Sequence, residues 1–464
     1  MVTVDVATWS RQTFSGCSLG DYRLVRRLIA ISAMLARHPP GSISACSKGS
    51  RALQEGAYRF IENDRVDPEA IAEGGYAGTV SAAAGHDTLL LVQDTTTLSF
   101  SHSVREELGD LGHSYDYLGG WLVHSSLLLE AGHGHPVGLI DQAWWTRDRV
   151  TAGKSRDRKK RAYKDKESYK WEAASRRSAE RLGPDLMRHT IMVGDREADG
   201  FDFLSYNLQA GQRFVIRALV VENRRVQGVD EPLRAHLAAQ PSLGTAEIPI
   251  QQRGGRKSRV ATVHLRSAEV TLPVPRSPGR KGSPVRLWAV YVQEENPPRG
   301  AKPLSWMLFT SEPAPDMESA LRVKRFYQYR WKVEEFHKAW KSGCGGEALR
   351  MPFADNLRRM LQILAFVAVY LVQLRDAAND TPDRSCEVLL TRQEWKLLWL
   401  SAPQRKRLPS KPPSLRWACE ALGRLGGWTD SKRTGRIGWK ALWQGYFLLH
   451  ERWIGWKIAM HSNL

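Results

Sequence analysis

The sequence predicts an α/β protein whose mixed β-sheet is interrupted by an antiparallel β insertion and flanked by helical domains at both ends. Three observations support this fold. Short apolar runs typical of buried strands lie between residues 88 and 217. Short alternating runs rich in Gly, Pro and Arg occupy residues 218 to about 302. Helical periodicity dominates before residue 75 and after Leu321, so we predict a helical domain at 1–75, a core at 76–376 and a helical region at 377–464.

The core is predicted from the order of its runs and from where its acids fall. Two of the strand-like runs end in an acid, at Asp94 and at Asp195. Three antiparallel strands, a helix and a strand placed beside the first are the opening order of a ribonuclease-H-like sheet, which would set Asp94 and Asp195 side by side. An alternative for Asp195 is that it caps the helix that follows. The predicted strands are 88–94, 121–130, 136–145 and 190–194, and the predicted helix is 171–182.

The charge balance indicates a polyanionic partner. Lys and Arg total 68 against 49 acids, a formal net charge of +19. Nucleic acid and an anionic membrane surface both fit such an excess. The membrane is disfavoured, because the N-terminus lacks a signal-peptide pattern and the longest apolar run, residues 360–374, has 15 residues against the roughly 20 that span a bilayer. This run predicts a buried helix.

The five cysteines are scattered and form no Cys-x-x-Cys pair. This pattern is typical of a reducing compartment and argues against a structural zinc site built on cysteine. We therefore expect a bacterial-type cytosol.

Residues 326–341, FYQYRWKVEEFHKAWK, are the most informative segment. On a helix, one stripe within about 60° carries a carboxylate flanked by cations and a phenol, while apolar side chains collect on the opposite face. A nuclease needs such an acid to hold metal and such cations to hold phosphates. An ordinary solvated helix face with Glu–Lys pairs fits equally well. The stripe consists of Tyr327, Arg330, Glu334, Lys338 and Lys341, and the apolar face of Phe326, Val333, Phe336, Ala339 and Trp340.

Carboxylates that converge at strand ends supply the hard oxygen ligands that Mg²⁺ prefers. Phosphodiester cleavage is assisted by two such ions about 4 Å apart. The residue motifs of the chain and their order moreover resemble those of the DDE transposases of the IS-four family, and within it those of the Tn-five type. The matching stretches are 19–21 (LGD), 54–60 (QEGAYRF), 94–96 (DTT), 119–129, 195–199 (DREAD), 424–434 and the spaced residues Tyr327, Arg330, Glu334 and Lys341.

The resemblance implies that Asp94, Asp195 and Glu334 are the catalytic, metal-binding triad, with two Mg²⁺ per site and Mn²⁺ as a substitute. Geometry agrees that Glu334 rather than Glu335 is the third acid, since Glu335 points about 100° away from the stripe. For Trp306 the resemblance implies base stacking, and core packing is the alternative. The implied DNA contacts are Tyr327, Arg330, Lys338, Lys341, Trp306, Arg217, Arg27, Arg37 and Arg59.

The resemblance further implies a cut-and-paste transposase that acts as a homodimer on double-stranded DNA. It would nick transposon ends, form hairpins, reopen them and join them to target DNA, with the C-terminal helices pairing two protomers. Two alternatives stay open: a transposon-end-binding regulator without catalysis, and a structure-selective nuclease on the same core.

Some features depart from the resemblance or fall outside it. The basic segment 147–170 and the predicted basic loop at 275–284 are candidate contacts to target or flanking DNA, or solvated loops. Residues 403–413 predict a linker. His133 and His135 suggest a metal pair, but they lie in a predicted strand turn, and we interpret them as turn residues.

Overall fold

The structure is a computed structural model that describes residues 5–37, 42–47, 50–112, 118–147, 161–250, 258–276, 282–402, 407–429, 431 and 437–461. The N-terminal part is helical, as predicted. Its last helix begins at Pro68 after the N-cap Asp67 and extends past residue 75 to Ala83. The helices are α1 (Val6–Phe14), α2 (Tyr22–Arg37), α3 (Ile43–Cys46), α4 (Arg51–Ile61) and α5 (Pro68–Ala83).

Within the described residues, one nine-stranded sheet forms the centre of the protein, with strand order β3-β2-β1-β4-β5-β9-β8-β7-β6. The predicted arrangement of the first four strands is confirmed. β2 pairs antiparallel with both β1 and β3, and β4 pairs parallel with β1. The strands are β1 (Leu89–Phe100), β2 (Gly119–Glu130), β3 (Pro136–Trp145), β4 (Thr190–Gly194), β5 (Arg213–Arg217), β6 (Gly244–Ile250), β7 (Arg259–Leu272), β8 (Val285–Glu294) and β9 (Ser305–Thr310).

The prediction that β1 ends at Asp94 is wrong. The strand continues to Phe100, which pairs with Gly119 of β2. Residues 95–97 are all Thr, and β-branched residues favour the extended backbone. What ends near Asp94 is only the parallel pairing with β4, whose last partners are Val92 and Val193. Asp94 therefore lies in mid-strand, at the point where the neighbouring strand stops.

Residues 218–302 contain the antiparallel strands β6, β7 and β8. These strands continue the central sheet, because β8 pairs with β9 and β9 pairs with β5. The β-rich region is therefore hydrogen-bonded edge to edge with the core sheet.

Helices cover both faces of the sheet and form the C-terminal part. Their apolar faces are buried, and the predicted apolar run lies within a helix of 27 residues. They are α6 (Lys170–Arg188), α7 (Phe201–Gln209), α8 (Leu233–Ala238), α9 (Met317–Tyr329), α10 (Trp331–Lys338), α11 (Ala354–Asp380), α12 (Arg392–Leu400), α13 (Leu415–Leu425) and α14 (Trp439–His461).

In the described part of the chain, α11 alone is long and apolar enough to cross a membrane, and 89% of its most apolar window is buried inside the protein. The prediction of a buried helix is thus confirmed. Three other sequence features fall largely outside the described residues: the centre of the basic segment 147–170, the centre of the loop 275–284 and the start of the linker 403–413.

Candidate active site

Three strand and helix segments bring Asp94, Asp195 and Glu334 together. The register of β1 and β4 places Asp94 and Asp195 two residues beyond the paired Val92 and Val193. Glu334 lies in the first turn of α10, which packs against β1. Asp195 also caps the short 3₁₀ helix Arg196–Ala198 by accepting from the Glu197 backbone N–H at 2.8 Å. The capping interpretation of Asp195 therefore holds alongside its position beside Asp94.

Arg330 connects two of the three acids. Its Nη2 donates to Glu334 Oε1 at 2.6 Å, and its Nη1 lies 3.6 Å from Asp94 Oδ2. Burial raises the pKa of Asp94 to about 7, against the lowering effect of Arg330. The negative charges of Asp195 and Glu334 raise the pKa of Asp94 further. The carboxylates are thus only partly compensated by Arg330, and the site favours an additional cation.

The helix predicted over residues 326–341 is divided into three parts. Helix α9 ends at Tyr329, α10 spans Trp331–Lys338, and a π-helical turn follows at Ala339–Gly343. The apolar face is buried as predicted, including Val333 and Phe336. The π-helical turn changes the direction of residues after 338, because it has more residues per turn than an α-helix.

The polar stripe is consequently not a single row. Lys341 turns to the sheet, where its Nζ donates to the Thr97 carbonyl at 2.7 Å and lies 3.2 Å from Glu347 Oε1. Lys338 is exposed, with its Nζ over the ring of Trp331. The structure therefore groups Arg330, Glu334 and Lys341 near β1 and leaves Lys338 at the surface.

Trp306, Tyr327 and Arg217 form a second group. The rings of Trp306 and Tyr327 meet edge to face, with centroids 5.2 Å apart. Arg217 ends β5, and its Nη2 donates to the Ser305 carbonyl, next to Trp306. Trp306 is half-buried at the start of β9, whereas Tyr327 is buried. In this position the Trp306 ring packs against Tyr327 and also keeps a surface on which a base can stack.

The three predicted N-terminal arginines separate into two places. The guanidinium of Arg27 lies against α4, where a Cβ on Gly56 would come within 2.3 Å of its Nη1. Arg59 lies one turn further along α4 and is exposed. Arg37 lies at the opposite end of α2, where its charge acts on Asp5. The fold thus brings Arg27 and Arg59 to one neighbourhood and Arg37 to another.

Sequence reasoning missed a buried polar chain on the face of β1 opposite Asp94. His124 Nδ1 lies 2.9 Å from Thr95 Oγ1, and its Nε2 lies 3.1 Å from Gln93 Oε1. Gln93 Nε2 in turn donates to Ser175 on α6 at 3.1 Å. Burial lowers the pKa of His124 well below its usual value, so the ring is neutral. A period-two alternation of polar residues around Asp94 was the available signal in the sequence.

Two known protein families match parts of the chain. A family described as transposase DNA-binding matches residues 6–66, which include α1 to α4 and the three arginines. A family described as the transposase DDE domain matches residues 168–370, which include Asp195 and Glu334 but not Asp94. The chain therefore carries the DNA-binding domain and the DDE domain of a transposase.

Proposed function

We propose that this protein is a cut-and-paste transposase that binds inverted repeats at transposon ends, cleaves the DNA there and joins the ends to a target. The observation that carries the proposal is the convergence of Asp94, Asp195 and Glu334, two of them linked by Arg330. We further propose, from the resemblance of its motifs, that the protein belongs to the IS-four family, near the Tn-five type. The domain limits proposed from the sequence, 1–75, 76–376 and 377–464, belong to this proposal.

The donor set fits divalent magnesium. Asp94, Asp195 and Glu334 offer only carboxylate oxygens, and partial compensation by Arg330 leaves negative charge for a cation to balance. These three residues would hold two Mg²⁺ ions, or Mn²⁺ in their place. When bound, the ions lower the pKa of a nucleophilic water or hydroxyl and stabilise the leaving oxygen.

The side chains of the protein position the DNA around this site. Arg330 lies beside two of the acids, and Lys341 lies near the continuation of β1, so both offer positive charge to phosphates flanking the scissile bond. Trp306 offers a half-buried indole on which an extruded base would stack, and Arg217 supports the backbone beside it. Tyr327 supports the ring of Trp306. Lys338 adds an exposed cation that would contact the phosphate backbone of the DNA.

The proposed reaction has four consecutive phosphoryl transfers at one site. Water attacks the end phosphodiester and the 3′-oxygen leaves as a free hydroxyl. That hydroxyl attacks the opposite strand to give a hairpin, and water reopens it. The 3′-hydroxyl then attacks a target phosphodiester. Because every step displaces one oxygen from phosphorus, one set of carboxylates serves all of them.

We propose that the N-terminal helices bind the transposon ends through Arg27, Arg37 and Arg59, and the match to a transposase DNA-binding family over residues 6–66 supports this. We propose that two protomers act together as a homodimer through their C-terminal helices, and that the protein works at the nucleoid of a bacterial cytosol. The last helix supports this pairing, because Phe447 and Trp456 expose 36% and 43% of their surface.

The test uses purified protein, Mg²⁺ and a DNA fragment with the inverted repeats that flank the gene, beside Asp94→Ala. Double-strand cuts at the repeat ends, passing through hairpins and absent from the variant, are expected. Binding without cutting would instead support the regulator. Equal cutting of duplexes without repeats would support the structure-selective nuclease.

A further inference from the structure

The turn between β2 and β3 gathers ligand atoms of a kind different from the active site. Glu130, His133 and His135 each place a ligand atom within 4.8 Å of the others. Nδ1 of His133 and Nδ1 of His135 lie 3.7 Å and 3.5 Å from Glu130 Oε1. The two imidazole rings are stacked, with centroids 5.4 Å apart. The turn predicted from the sequence is present, and it folds both histidines onto one carboxylate.

The far nitrogen of His135 has a partner of its own. His135 Nε2 contacts the Asp380 carboxylate at the end of α11, while its Nδ1 lies 3.5 Å from Glu130 Oε1. The ring is thus held between two carboxylates, with Nδ1 on the side of Glu130 and His133. A carboxylate that holds the far nitrogen of a ligating histidine is a recurring partner in metal sites.

The carboxylate of Glu130 is fixed in advance. Its Oε1 accepts from the backbone N–H groups of His133 and His135, and its Oε2 accepts from Gly132 at 2.7 Å. Oε2 has lone-pair capacity beyond the bond from Gly132, which remains for a cation.

Neighbouring helices hold the turn in place. Tyr329 donates its hydroxyl to the Gly132 carbonyl at 2.9 Å, and a Cβ on Gly134 would come within 2.4 Å of the Tyr329 ring. Gly134 has a φ of +75°, which suits glycine. The backbone between the two histidines is therefore restrained from two sides.

We propose that Glu130, His133 and His135 form a second metal site, with Asp380 orienting His135. Two imidazole nitrogens and one carboxylate oxygen suit a borderline divalent transition metal such as Zn²⁺, and not Mg²⁺. The site is separate from the triad, since Glu130 pairs with Leu89, five residues before Asp94 on β1, or about 17 Å along the strand. His133 is 78% exposed, so the ion would enter from solvent.

The test measures Zn²⁺ binding by competition with a chromophoric chelator, using full-length protein in the Glu334→Gln background to weaken binding at the triad. One ion per chain is expected, with affinity at least tenfold weaker in His133→Asn and His135→Asn. His189→Asn removes an exposed histidine outside the turn and should bind as the parent does. Far-UV circular dichroism checks that each variant is folded.

Two further readouts decide the proposal without any measurement of DNA cleavage. Zn²⁺ should raise the thermal midpoint of the parent and not of His133→Asn. Cobalt should give an absorption spectrum of nitrogen and oxygen ligation that His133→Asn removes. Equal affinity in the parent and both histidine variants would overturn the assignment, because the ion would then bind elsewhere.

Discussion

Arg330 holds its Nη1 3.6 Å from Oδ2 of Asp94, which places a fixed cation inside the group of acids. The residue lies between α9 and α10, and its side chain is 12% exposed. A guanidinium in this position partly neutralises the site in the free protein and remains available to a phosphate. Its removal should therefore separate metal binding from DNA cleavage.

We predict that Arg330→Ala binds Mn²⁺ more tightly and cleaves DNA more slowly. Loss of one nearby positive charge should strengthen cation binding by about tenfold, the effect of roughly 1.4 kcal/mol. Mn²⁺ titration followed by electron paramagnetic resonance measures the first effect, and single-turnover cleavage the second. Weaker Mn²⁺ binding in the variant would show that Arg330 chiefly organises the carboxylates.

Glu334 and Glu335 provide a matched pair of adjacent acids. Glu334→Gln should lower single-turnover cleavage by at least about a thousandfold, roughly 4 kcal/mol, because a metal ligand is lost. Glu335 pairs with Arg375 and lies 3.7 Å from Lys332, so Glu335→Gln should affect stability and leave most of the cleavage rate. Equal losses of cleavage in the two folded variants would argue against the assignment of Glu334.

Trp306→Ala tests base stacking against packing. Stacking on an aromatic side chain is worth about 1–3 kcal/mol per base, so the variant should slow cleavage by about tenfold or more. Trp288 is a half-buried tryptophan of the adjacent strand and serves as the control in Trp288→Ala. If Trp306 served only in packing, both variants would show a similar fall of the thermal midpoint. The folded protein of each variant would then cleave DNA at an unchanged rate.

Binding to transposon-end DNA should weaken steeply with salt, as the net charge of +19 indicates. Each phosphate that the protein neutralises contributes about −0.9 to the slope of log K against log salt concentration. Arg59→Ala should reduce the slope by about one such unit. Arg188→Ala removes an exposed arginine outside the DNA-binding domain and should not change it. A flat dependence for the parent would contradict a large phosphate interface.

Asp141 supports the junction of β3 and α6. Its carboxylate is 1% exposed and accepts from Arg177 at 2.7 Å and from Arg181 at 2.6 Å. Asp141→Asn should lower the free energy of unfolding by about 3 kcal/mol, because the partly buried guanidinium of Arg177 loses its counter-charge and that of Arg181 keeps only Glu73. Denaturant unfolding measures it, with Asp185→Asn at an 87% exposed position as the control. A difference below about 0.5 kcal/mol between the variants would contradict this role.

The strands of the core were largely predictable, because a run of apolar residues is visible in neighbouring positions of the sequence. The run at 136–145 and the run at 190–194 have the bounds of β3 and β4. The length of β1 was not predictable, because its second half is polar and is held by pairing with β2. The buried chain from Thr95 through His124 to Ser175 was equally hidden, since its members are distant in sequence and meet only through strand pairing and the packing of α6.

The sequence by itself determined the strand order of the core, the buried apolar face of the helix at 326–341 and the choice of candidate acids, because periodicity and residue chemistry are properties of neighbouring positions. Only the tertiary structure decided where each charge points. It divided the helix at Arg330, turned Lys341 onto β1, and placed Asp380 against His135. These contacts depend on backbone direction and on elements far apart in the chain, which local patterns do not encode.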